Sequence, residues 1–588
     1  MNLVRFFLAV VLALITLPLL SIAQPTGTTT KGKDFWLTFI PNLHINSPQS
    51  DSLFVYIVAE VPTGGKITYR DKSGVVRQQT FQITDPTQAY IFRIHYRTYE
   101  LEGYQQGRGI FETSSQVEDP ANQYFHVVTD GNVGVYALSQ AQTTSDAFLV
   151  FPTQVLGTEY YVMAYNSDGK VSGSTVNVNT STPSQFAVLA TEDNTTITVT
   201  PRTATYNNDL TPQKIILNQG ETYLVQAKIT VQNLRPDLTG SRVTSTKPVA
   251  VFAGQQRATV PVELADNLIS RDCIIEQVPP ISTWGKNAFL TPYPFPVDAS
   301  KIGQDVYRIL AAYDSTQVFV DGVFIGSDLN AGSVYSGVLV KGQTVTANKP
   351  ILVAHFKKTS SNNPAPSGAS PVSDPFMLII PPKEQFLKSC HFYNVQAYDN
   401  QNPDGVYKEQ YITVVAPTST LSTIRLDGKP VNVTKFVPIA PSNDYSYAWL
   451  GGANGADGVT DGAHIISADE PMGIYIYGYG EANSYGYAGG MDLTGVVSAV
   501  DEQPVDAGEI TVSPNPTATT VSITCNSMVL SYRVVNSLGE EIAGENMTSK
   551  ERIDRSRDVD LTAVASGVYF VLFRTSMGVI SKPIIVIH

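Results

Sequence analysis

Cysteine and charge are both scarce in this sequence. It has 3 cysteines in 588 residues, with no CxxC pair and no cysteine–histidine spacing suited to zinc. A disulfide-dense scaffold is therefore excluded, and stability must come from buried area. Only 15% of the residues are charged and the net charge is -13, which argues against nucleic-acid binding because that needs a basic surface for phosphates.

The local motifs of common enzymes are also absent. The sequence has no GxSxG elbow, no HExxH, no P-loop and no strand followed by GxGxxG. Its 7 histidines are scattered singly, and we interpret His95 and His355 as packed strand residues rather than bases. We therefore predict no catalytic residues and no bound organic cofactor.

Long apolar runs are confined to the N-terminus. A basic head, MNLVR, precedes FFLAVVLALITLPLL, and small residues end the segment at Ala23. This order predicts a secretory signal peptide over residues 1–23, cleaved between Ala23 and Gln24, with an uncleaved membrane anchor as the alternative. No later segment has the roughly 20 continuous apolar residues of a membrane helix, so we predict none in the mature chain.

Strand-forming and turn-forming residues are abundant. The sequence has 30 Tyr, 43 Gly and 36 Pro, a composition typical of strands joined by tight turns. One phrase, TSTKPVAVFAGQQ, recurs as VTANKPILVAHF near Pro350 and as IISADEPMGIYIYGYG near Pro471, with a looser copy near Val133. In PVAVFAG both faces are apolar, which predicts a central strand with Pro248 at its first position.

Each copy of the phrase closes a repeated unit. Upstream of it come an acidic-led strand that ends in Pro and then a β-hairpin, at a spacing of about 100 to 120 residues, close to the size of one β-sandwich. The sequence therefore predicts an all-β chain of tandem antiparallel β-sandwich-like units followed by a small Ig-like β-sandwich. The predicted segments are 1–23 signal peptide, 30–142 β unit 1, 143–260 β unit 2, 268–360 β unit 3, 361–373 linker, 374–492 β unit 4, 493–508 linker and 509–588 C-terminal domain.

Several aspartates are candidate site residues. Asp146, Asp272 and Asp374 each precede the first apolar strand of a unit, and such a recurring residue is interpreted as setting a turn or accepting backbone N–H groups. Asp457 and Asp461 lie in the glycine-rich stretch NGADGVTDGAH, whose oxygen ligands suit calcium, although the spacing is not that of an EF-hand. A solvated turn is the alternative there, and calcium is the only cofactor considered.

The last copy of the phrase is rich in tyrosine. Tyr475, Tyr477 and Tyr479 alternate and so share one face of a strand, and two more tyrosines follow. If exposed, these side chains form an aromatic platform that stacks on sugars or grips a protein; if buried, they are core. The five candidates for a ligand surface are Tyr475, Tyr477, Tyr479, Tyr485 and Tyr487.

Two of the three cysteines lie within the repeated units. Cys273 and Cys390 form a disulfide if the fold brings them together, and are otherwise two buried free thiols.

The C-terminal residues contain a series of recognisable motifs. They include the opening stretch with Pro514, Asn515 and Pro516, and the stretch with Gly567 and Tyr569. With the central turn 536–540 and the closing strand 582–587, this tail resembles the C-terminal sorting domain of the bacterial type IX secretion system. The resemblance implies a Gram-negative origin in the Bacteroidetes or relatives, recognition by the type IX machinery, and release or attachment at the outer cell surface.

The preceding part of the chain, from about 32 to about 490, carries a second resemblance. Its residues include EQVPPISTWG from Glu276, followed by YRILAAYDSTQV, Pro248 to Gly254, and the ending YGYGEANSYGYAGG. These resemble the IgG Fc-binding protein N-terminal domain family. The resemblance implies adhesion or binding at a cell surface, whereas immunoglobulin binding does not transfer, since the protein that gave the family its name carries further domains.

Taken together, the sequence predicts a non-enzymatic secreted or cell-surface protein that binds glycan or protein ligands through tandem β modules. One alternative is a polysaccharide- or protein-degrading enzyme, and another is a structural surface stalk. Two unrepeated carboxylates about 5 to 10 Å apart in a cleft favour a glycosidase. A large exposed apolar patch favours a binding module over a stalk.

Overall fold

The chain forms two compact units, Met1–Val497 and Ser498–His588, called here the body and the tail. The computed structural model describes residues 29–44, 51–103, 116–177, 180–264, 271–295, 298–302, 305–359, 373–398, 405–493, 511–524, 529–536, 541–546, 557–562, 564–575 and 578–587. The predicted cleavage site at Ala23 and Gln24 lies outside these residues. Within them, no helix is long and apolar enough to cross a membrane.

The body contains four large antiparallel sheets, sheets 1 to 4 in chain order. The strands of the first half are β1 Gly32–Leu37, β2 Ser52–Ala59, β3 Thr63–Arg70, β4 Val76–Ile83, β5 Tyr90–His95, β6 Pro120–Ala121, β7 Tyr124–Ala141, β8 Thr144–Val150, β9 Gly157–Tyr161, β10 Val171–Ser172, β11 Thr175–Val176, β12 Ser184–Ala190, β13 Thr195–Thr200, β14 Gln213–Leu217, β15 Thr222–Gln226, β16 Arg242–Ala258 and β17 Asp272–Val278. Sheet 1 has the order β4-β3-β7-β2-β5, with β1 and β8 also on β7. Sheet 2 has the order β14-β13-β16-β12-β15-β6, with β9 and β17 also on β16.

The second half of the body repeats this plan. Its strands are β18 Gly285–Leu290, β19 Pro294–Phe295, β20 Asp298–Ile302, β21 Asp305–Ala311, β22 Val318–Val320, β23 Val323–Phe324, β24 Val334–Leu339, β25 Gln343–Phe356, β26 Met377–Ile380, β27 Leu387–Asn394, β28 Tyr407–Pro417, β29 Arg425–Leu426, β30 Lys429–Pro430, β31 Val437–Pro438, β32 Tyr445–Ala453, β33 Gly462–Gly480 and β34 Asn483–Ala488. Sheet 3 has the order β23-β22-β25-β21-β24, with β18 and β26 on β25. Sheet 4 has the order β30-β29-β33-β28-β32-β31, with β27 and β34 on β33.

The helices among the described residues are short 3-10 turns. They are Tyr96–Thr98, Thr153–Val155, Val262–Leu264, Ile281–Thr283, Lys383–Gln385, Thr418–Thr423, Val433–Lys435 and Ala456–Gly458. The predicted all-β class is therefore confirmed.

One long strand in each sheet, β7, β16, β25 or β33, contains a copy of the repeated phrase. Each long strand changes partners halfway along. In β16, residues 242–245 pair with β13, whereas residues 249–255 pair with β12 and lie beside β17. The long strand thereby connects two layers of strands in each unit, as in a β-sandwich whose strand switches sheets.

Pro248 lies at this change of partners. The sequence predicted it at the first position of a strand, but β16 already begins at Arg242, so that prediction is wrong. The register of β16 against β9 shifts between Thr244 and Val249, and Pro350 and Pro471 stand at the corresponding shifts of β25 and β33. An N–H is not needed where the ladder is interrupted, so proline costs little there. The predicted central, doubly buried strand from Val249 onward is confirmed.

The four units close into a ring. The strands that follow the long strands, called the inner strands, are β8, β17, β26 and β34, and each packs against its neighbours in that order around the ring. The first and last units meet where Thr30 N donates to Met491 O at 3.0 Å and Tyr136 Oη donates to Gly489 O at 2.7 Å. The described body is therefore one closed assembly, not a row of separate units. Each of its hydrophobic clusters contains buried residues from more than one unit.

Asp146 lies at the centre of this ring with a fully buried side chain. Its Oδ1 accepts hydrogen bonds from Ala147 N at 2.8 Å and Gly486 N at 3.2 Å. Its Oδ2 accepts from Ile275 N at 3.0 Å and Met377 N at 3.2 Å. Burial raises the pKa of Asp146 well above its usual range, and the N–H donors oppose that shift. One carboxyl group thus joins backbone from all four inner strands.

The three recurring aspartates do not occupy equivalent positions, contrary to the sequence interpretation. Val150 and Val278 are equivalent because each pairs with the corresponding residue of its long strand. Asp146 lies four residues before Val150, whereas Asp272 lies six residues before Val278. Asp374 matches Asp272 in this spacing. The interpretation that such residues accept backbone N–H groups is confirmed for Asp146 and Asp272.

His44 places a titratable ring in the core of the first unit. Its Nε2 lies 2.8 Å from Glu100 Oε2, and its Nδ1 lies 3.8 Å from Asp51 Oδ2. The ring also stacks on Tyr96 and faces the more exposed His95 nearby. Burial opposes the charged ring, but the two carboxylates outweigh it and raise the pKa of His44 from 6.5 to about 9.

This shift predicts a loss of stability at alkaline pH. Because the folded-state pKa is the higher one, the contribution of His44 is complete below pH 6.5 and is lost as the pH rises through 9. In the variant His44→Gln this contribution is absent, so the difference in unfolding free energy between wild type and variant shrinks by about 3 kcal/mol across that window. Urea unfolding of both proteins at a series of pH values measures it. Parallel pH profiles would contradict the assignment.

The tail is a small two-sheet domain. Its strands are β35 Thr511–Ser513, β36 Thr520–Thr524, β37 Val529–Asn536, β38 Glu541–Asn546, β39 Arg557–Asp560, β40 Gly567–Thr575 and β41 Gly578–Val586. One sheet has the order β35-β36-β39 and the other β38-β37-β40-β41, as expected for the predicted small sandwich.

The sorting-motif residues occupy two places in the tail. Pro514, Asn515 and Pro516 lie in the turn after β35, where Asn515 Oδ1 accepts a hydrogen bond from Ile585 N at 2.8 Å. Gly567 begins β40, and the buried Tyr569 donates through Oη to Ala565 O at 2.8 Å. The opening motif is therefore tied to the closing strand of the domain.

Candidate functional site

The five tyrosines predicted as a ligand surface are fully buried. Tyr475, Tyr477 and Tyr479 lie on β33, which is paired on both sides by β28 and β34, and side chains of sheet 3 cover this face of β33. The other two tyrosines lie on β34. Tyr475 Oη donates to Phe289 O at 2.9 Å, and the Tyr477 hydroxyl pairs with Thr413 Oγ1 at 2.9 Å. Tyr485 Oη donates to Gln410 Oε1 at 2.6 Å. These residues, with Tyr479 and Tyr487, are core rather than an exposed platform.

The two cysteines of the body are free thiols. Cys273 and Cys390 are both buried in the core of the ring and are not joined by a disulfide. Burial raises the pKa of the Cys390 thiol to about 12. The disulfide interpretation is therefore wrong for this structure, and the free-thiol alternative holds.

The predicted calcium candidates are both engaged by protein groups. Asp457 contacts Lys435 Nζ at 2.5 Å and accepts from Gly451 N at 3.0 Å. Asp461 accepts from Gln410 Nε2 at 2.7 Å, and burial raises its pKa. In the described ranges no three His, Cys, Asp or Glu residues are grouped to hold a metal. Calcium binding at this loop stays a prediction.

A surface pocket of about 240 Å³ lies beside Asp457 in the fourth unit. Its polar side chains, called here the polar wall, are Asp427, Lys429, Asn432 and Asp457, and the buried Leu426 and Leu450 form an apolar floor. Pro430, Val431 and Gly458 also line the pocket.

One side of the pocket is the hairpin formed by β29 and β30. Leu426 pairs with Lys429 across a two-residue turn, in which Asp427 has φ 48° and Gly428 has φ 75°. Aspartate followed by glycine favours this type of turn because both positions need positive φ. The Asp427 carboxylate also accepts Ile465 N at 2.9 Å and pairs with His464 Nδ1 at 2.7 Å, which anchors the hairpin to β33.

The other side is formed by two short turns. Asn432 caps the 3-10 turn Val433–Lys435, because its Oδ1 accepts a hydrogen bond from Thr434 N at 3.1 Å. Asp457 lies in the 3-10 turn Ala456–Gly458 with φ 55°, and its ion pair with Lys435 joins the two turns. Asp427, Asn432 and Asp457 are thus held in place by protein contacts before any ligand arrives.

The equivalent hairpin of the third unit shows which pocket residues have a structural role that is repeated and which are found in the fourth unit alone of the two. There the hairpin of β22 and β23 has the same turn, with Asp321 at φ 50°, and Asp321 Oδ1 accepts Thr344 N at 3.0 Å. Asp427 therefore repeats a structural role. In contrast, Lys429 takes the place of the third unit's Val323, and Asn432 and Asp457 belong to turns that elaborate the fourth unit.

The pocket offers hydrogen-bond donors and acceptors around a small apolar floor. Such a mixture suits a ligand with an apolar face and several hydroxyl groups, and the volume fits about one sugar ring. Asp457 was a candidate site residue from the sequence, whereas Lys429 and Asn432 were not. The LDG turn was the available signal, and it indicated a hairpin without showing that a distant loop packs beside it.

Comparisons with known proteins bear on both units. A family model described as "IgGFc binding protein" matches residues 146–478, and one described as "Secretion system C-terminal sorting domain" matches residues 511–587. The human IgGFc-binding protein is 26% identical over 377 residues, which is 63% of this chain but 6% of that protein. The matched stretch is therefore a small part of the human relative.

Similar solved structures include "Biofilm associated protein - BSP domain", at 8% identity and a TM-score of 0.11, covering 52% of this chain and 82% of that one. Another is "Sidekick-1 immunoglobulin domains 1-5", at 9% identity and a TM-score of 0.10, covering 94% and 98%. At such low scores these likenesses carry no argument about fold or function.

Proposed function

The chain belongs to the IgGFc-binding protein family and ends in a secretion-system sorting domain, and from these premises we propose that it binds carbohydrate at the cell surface. It reaches that place by type IX secretion, in a Gram-negative bacterium of the Bacteroidetes group. The observation that carries the carbohydrate proposal is the pocket of the fourth unit, whose Lys429, Asn432 and Asp457 are not repeated in the hairpin of the third unit.

The pocket chemistry favours binding over hydrolysis. A glycosidase needs one carboxyl group to donate a proton and another to act as base or nucleophile. Asp427 is held by His464 and Ile465 N, and Asp457 by Lys435 and Gly451 N. Neither family description names an enzyme. We therefore prefer a binding protein to the degrading enzyme considered from the sequence.

The closed ring of the body bears on the stalk alternative. A stalk gains reach from units arranged in a row, whereas here the first and last units meet through Thr30 and Met491. The ring instead holds the fourth-unit pocket on a rigid, deeply packed support. This supports a binding role, with the tail serving export and surface attachment or release.

The proposal predicts that glycan binding depends on the unrepeated side chains of the pocket wall, and two of the three are tested together. We expect the double variant Lys429→Ala/Asn432→Ala to bind its sugar about 10- to 100-fold more weakly, because two hydrogen bonds of about 1 kcal/mol or more each are lost. A glycan and mucin array with the full chain identifies the ligand, and calorimetry measures the affinity. The matched control is Lys349→Ala, whose exposed amine donates to Asp314 O in the third unit.

The same experiment separates the alternatives. Unchanged binding in the double variant would remove the pocket from consideration, and the absence of binding to any glycan would overturn the carbohydrate proposal. Immunoglobulin Fc on the same array tests the ligand named in the human relative. Repeating the measurement with a calcium chelator tests the prediction made for Asp457 and Asp461.

A further inference from the structure

A lysine and an aspartate are enclosed together in the third unit. Asp305 begins β21 and Lys357 directly follows β25, and the neighbouring residues Val306 and Phe356 are paired in the ladder. The side chain of Lys357 is 1% exposed and that of Asp305 is fully buried, and their Nζ and Oδ1 atoms lie 3.8 Å apart. The two groups therefore face each other across adjacent strands, away from water.

Aromatic side chains surround this pair. Lys357 Nζ lies 6.0 Å from the centre of the Tyr479 ring, and Lys357 N donates to the backbone oxygen of Phe376 at 3.0 Å. Tyr293, whose backbone bonds Asp305, stacks on the buried ring of His355 at 4.1 Å. The site is dry, and in such surroundings a charged amine and a charged carboxylate are both costly.

An ion pair accounts poorly for this arrangement. A charge-assisted hydrogen bond between an ammonium and a carboxylate is about 2.7 to 2.9 Å long, whereas this separation is 3.8 Å. The Nζ group also makes a long bond of 3.4 Å to Lys358 O. Burial lowers the pKa of Lys357 to about 8, although the Asp305 carboxylate opposes that shift. Burial therefore favours the uncharged amine more than it would for an exposed lysine.

The Asp305 carboxyl group is held as an electrophile would be. Its Oδ1 accepts a hydrogen bond from Lys358 N at 2.9 Å, and its Oδ2 accepts one from Tyr293 N at 3.3 Å. A backbone N–H group directed at the oxygen that stays on Cγ stabilises the oxyanion that forms when a nucleophile attacks, and the shorter bond from Lys358 N assigns this role to Oδ1. The buried Asp374 is near enough for its charge to act on Lys357.

We propose that Lys357 and Asp305 condense to form a side-chain isopeptide bond. Nζ attacks Cγ of the Asp305 carboxyl group, the Nζ–Cγ bond forms and the bond from Cγ to one carboxyl oxygen breaks. That oxygen leaves as water with two of the three protons that the amine and the carboxyl group hold between them, and the third proton stays on the amide nitrogen. The buried Asp374, whose charge acts on Lys357, is the group we assign to proton transfer. No oxidant or other reactant is required, since an amine and a carboxylic acid give an amide and water.

Such a bond would give a covalent cross-link to a chain that has few cysteines. It would covalently join β21 to β25, the long strand of sheet 3, at the end next to the ring of inner strands. Covalent cross-links stabilise mainly by restricting the unfolded chain. The two thiols of the body are free, so this amide would supply what a disulfide supplies in other exported proteins.

Mass spectrometry of the purified full chain tests the proposal. We expect the wild type to be lighter than its sequence by one water, and a tryptic digest to contain peptide 302–308 joined to the peptide that ends at Lys358, uncut after Lys357. The variant Lys357→Arg should regain the water and release two separate peptides. Lys358→Arg is the matched control and should keep the link, because Lys358 contributes its backbone. Asp374→Asn should slow or abolish the link.

The wild-type peptide map decides the question even if a variant fails to fold. Unlinked peptides 302–308 and 342–357 from the wild type would overturn the proposal, and so would a loss of water that maps elsewhere or that survives in Lys357→Arg. The assay involves no glycan, so its outcome is independent of the function proposed for the fourth-unit pocket.

Discussion

Replacing Asp146 with alanine is expected to lower the free energy of unfolding of the body by about 4 kcal/mol or more, or to prevent folding, since each buried N–H left without an acceptor costs about 1 to 3 kcal/mol. The Asp146 carboxylate accepts from Ala147, Ile275, Met377 and Gly486, one residue from each inner strand. Because these strands belong to four different sheets, the loss should destabilise the whole ring. Urea unfolding followed by intrinsic fluorescence measures the change.

Two further variants sharpen this test. Asp146→Asn keeps the shape but presents an NH₂ group to two of the donors, so its stability should lie between wild type and alanine. Asp209→Ala is the surface control, because that side chain is 84% exposed and forms a loose pair with Lys228; about 0.5 kcal/mol or less is expected. An Asp146→Ala protein within about 1 kcal/mol of wild type would show that the central carboxyl group is not what holds the ring together.

The role of Asp146 shows where sequence reasoning succeeds and where it ends. Repetition of the phrase predicted a central strand in each unit, and the apolar runs predicted its burial, because both depend on local alternation. The extension of that strand before the proline was not predicted. The closed ring depends on contacts between residues far apart in the chain, such as Asp146 and Gly486. The sequences around Asp146 and Asp272 are similar, so they suggested that the two residues occupy equivalent positions on their strands. The difference between these positions depends on strand register, which only the strand pairing shows.

Pro248 illustrates the same limit within a single strand. Proline usually marks a strand end, and this rule placed it at the first position. The strand instead continues through it, because β16 exchanges one layer of partners for the other at that point. The missing N–H of proline costs little at this change of partners, because the ladder of hydrogen bonds is interrupted there. Pro350 and Pro471 lie at the corresponding positions of β25 and β33.

The candidate pocket could be anticipated only in part. The glycine-rich loop with Asp457 was recognisable as a possible site from its composition alone. Lys429 and Asn432 follow an ordinary hairpin signal, and nothing in their spacing indicates that the loop at Asp457 packs beside them. The tyrosine-rich last copy of the phrase did point to the fourth unit, although to its tyrosines rather than to this pocket.

Replacing Tyr477 with alanine is expected to destabilise the body by about 3 to 5 kcal/mol, the usual cost of removing a large aromatic side chain from a core. Its ring is fully buried, 5.0 Å from that of Tyr293 and 6.0 Å from that of Phe376, so the cavity would open between sheets 3 and 4. Tyr477→Phe should cost only about 1 kcal/mol, because it removes the hydroxyl that pairs with Thr413 and keeps the ring.

The control is Tyr313→Ala, which removes a tyrosine that is 48% exposed and should change stability by about 0.5 kcal/mol or less. If Tyr477 were part of an exposed platform, Tyr477→Ala would instead lose ligand binding and keep its stability. Measuring unfolding and glycan binding on the same preparations therefore distinguishes the two. A Tyr477→Ala protein as stable as wild type would contradict the buried position, because no well-packed core loses a tyrosine ring without cost.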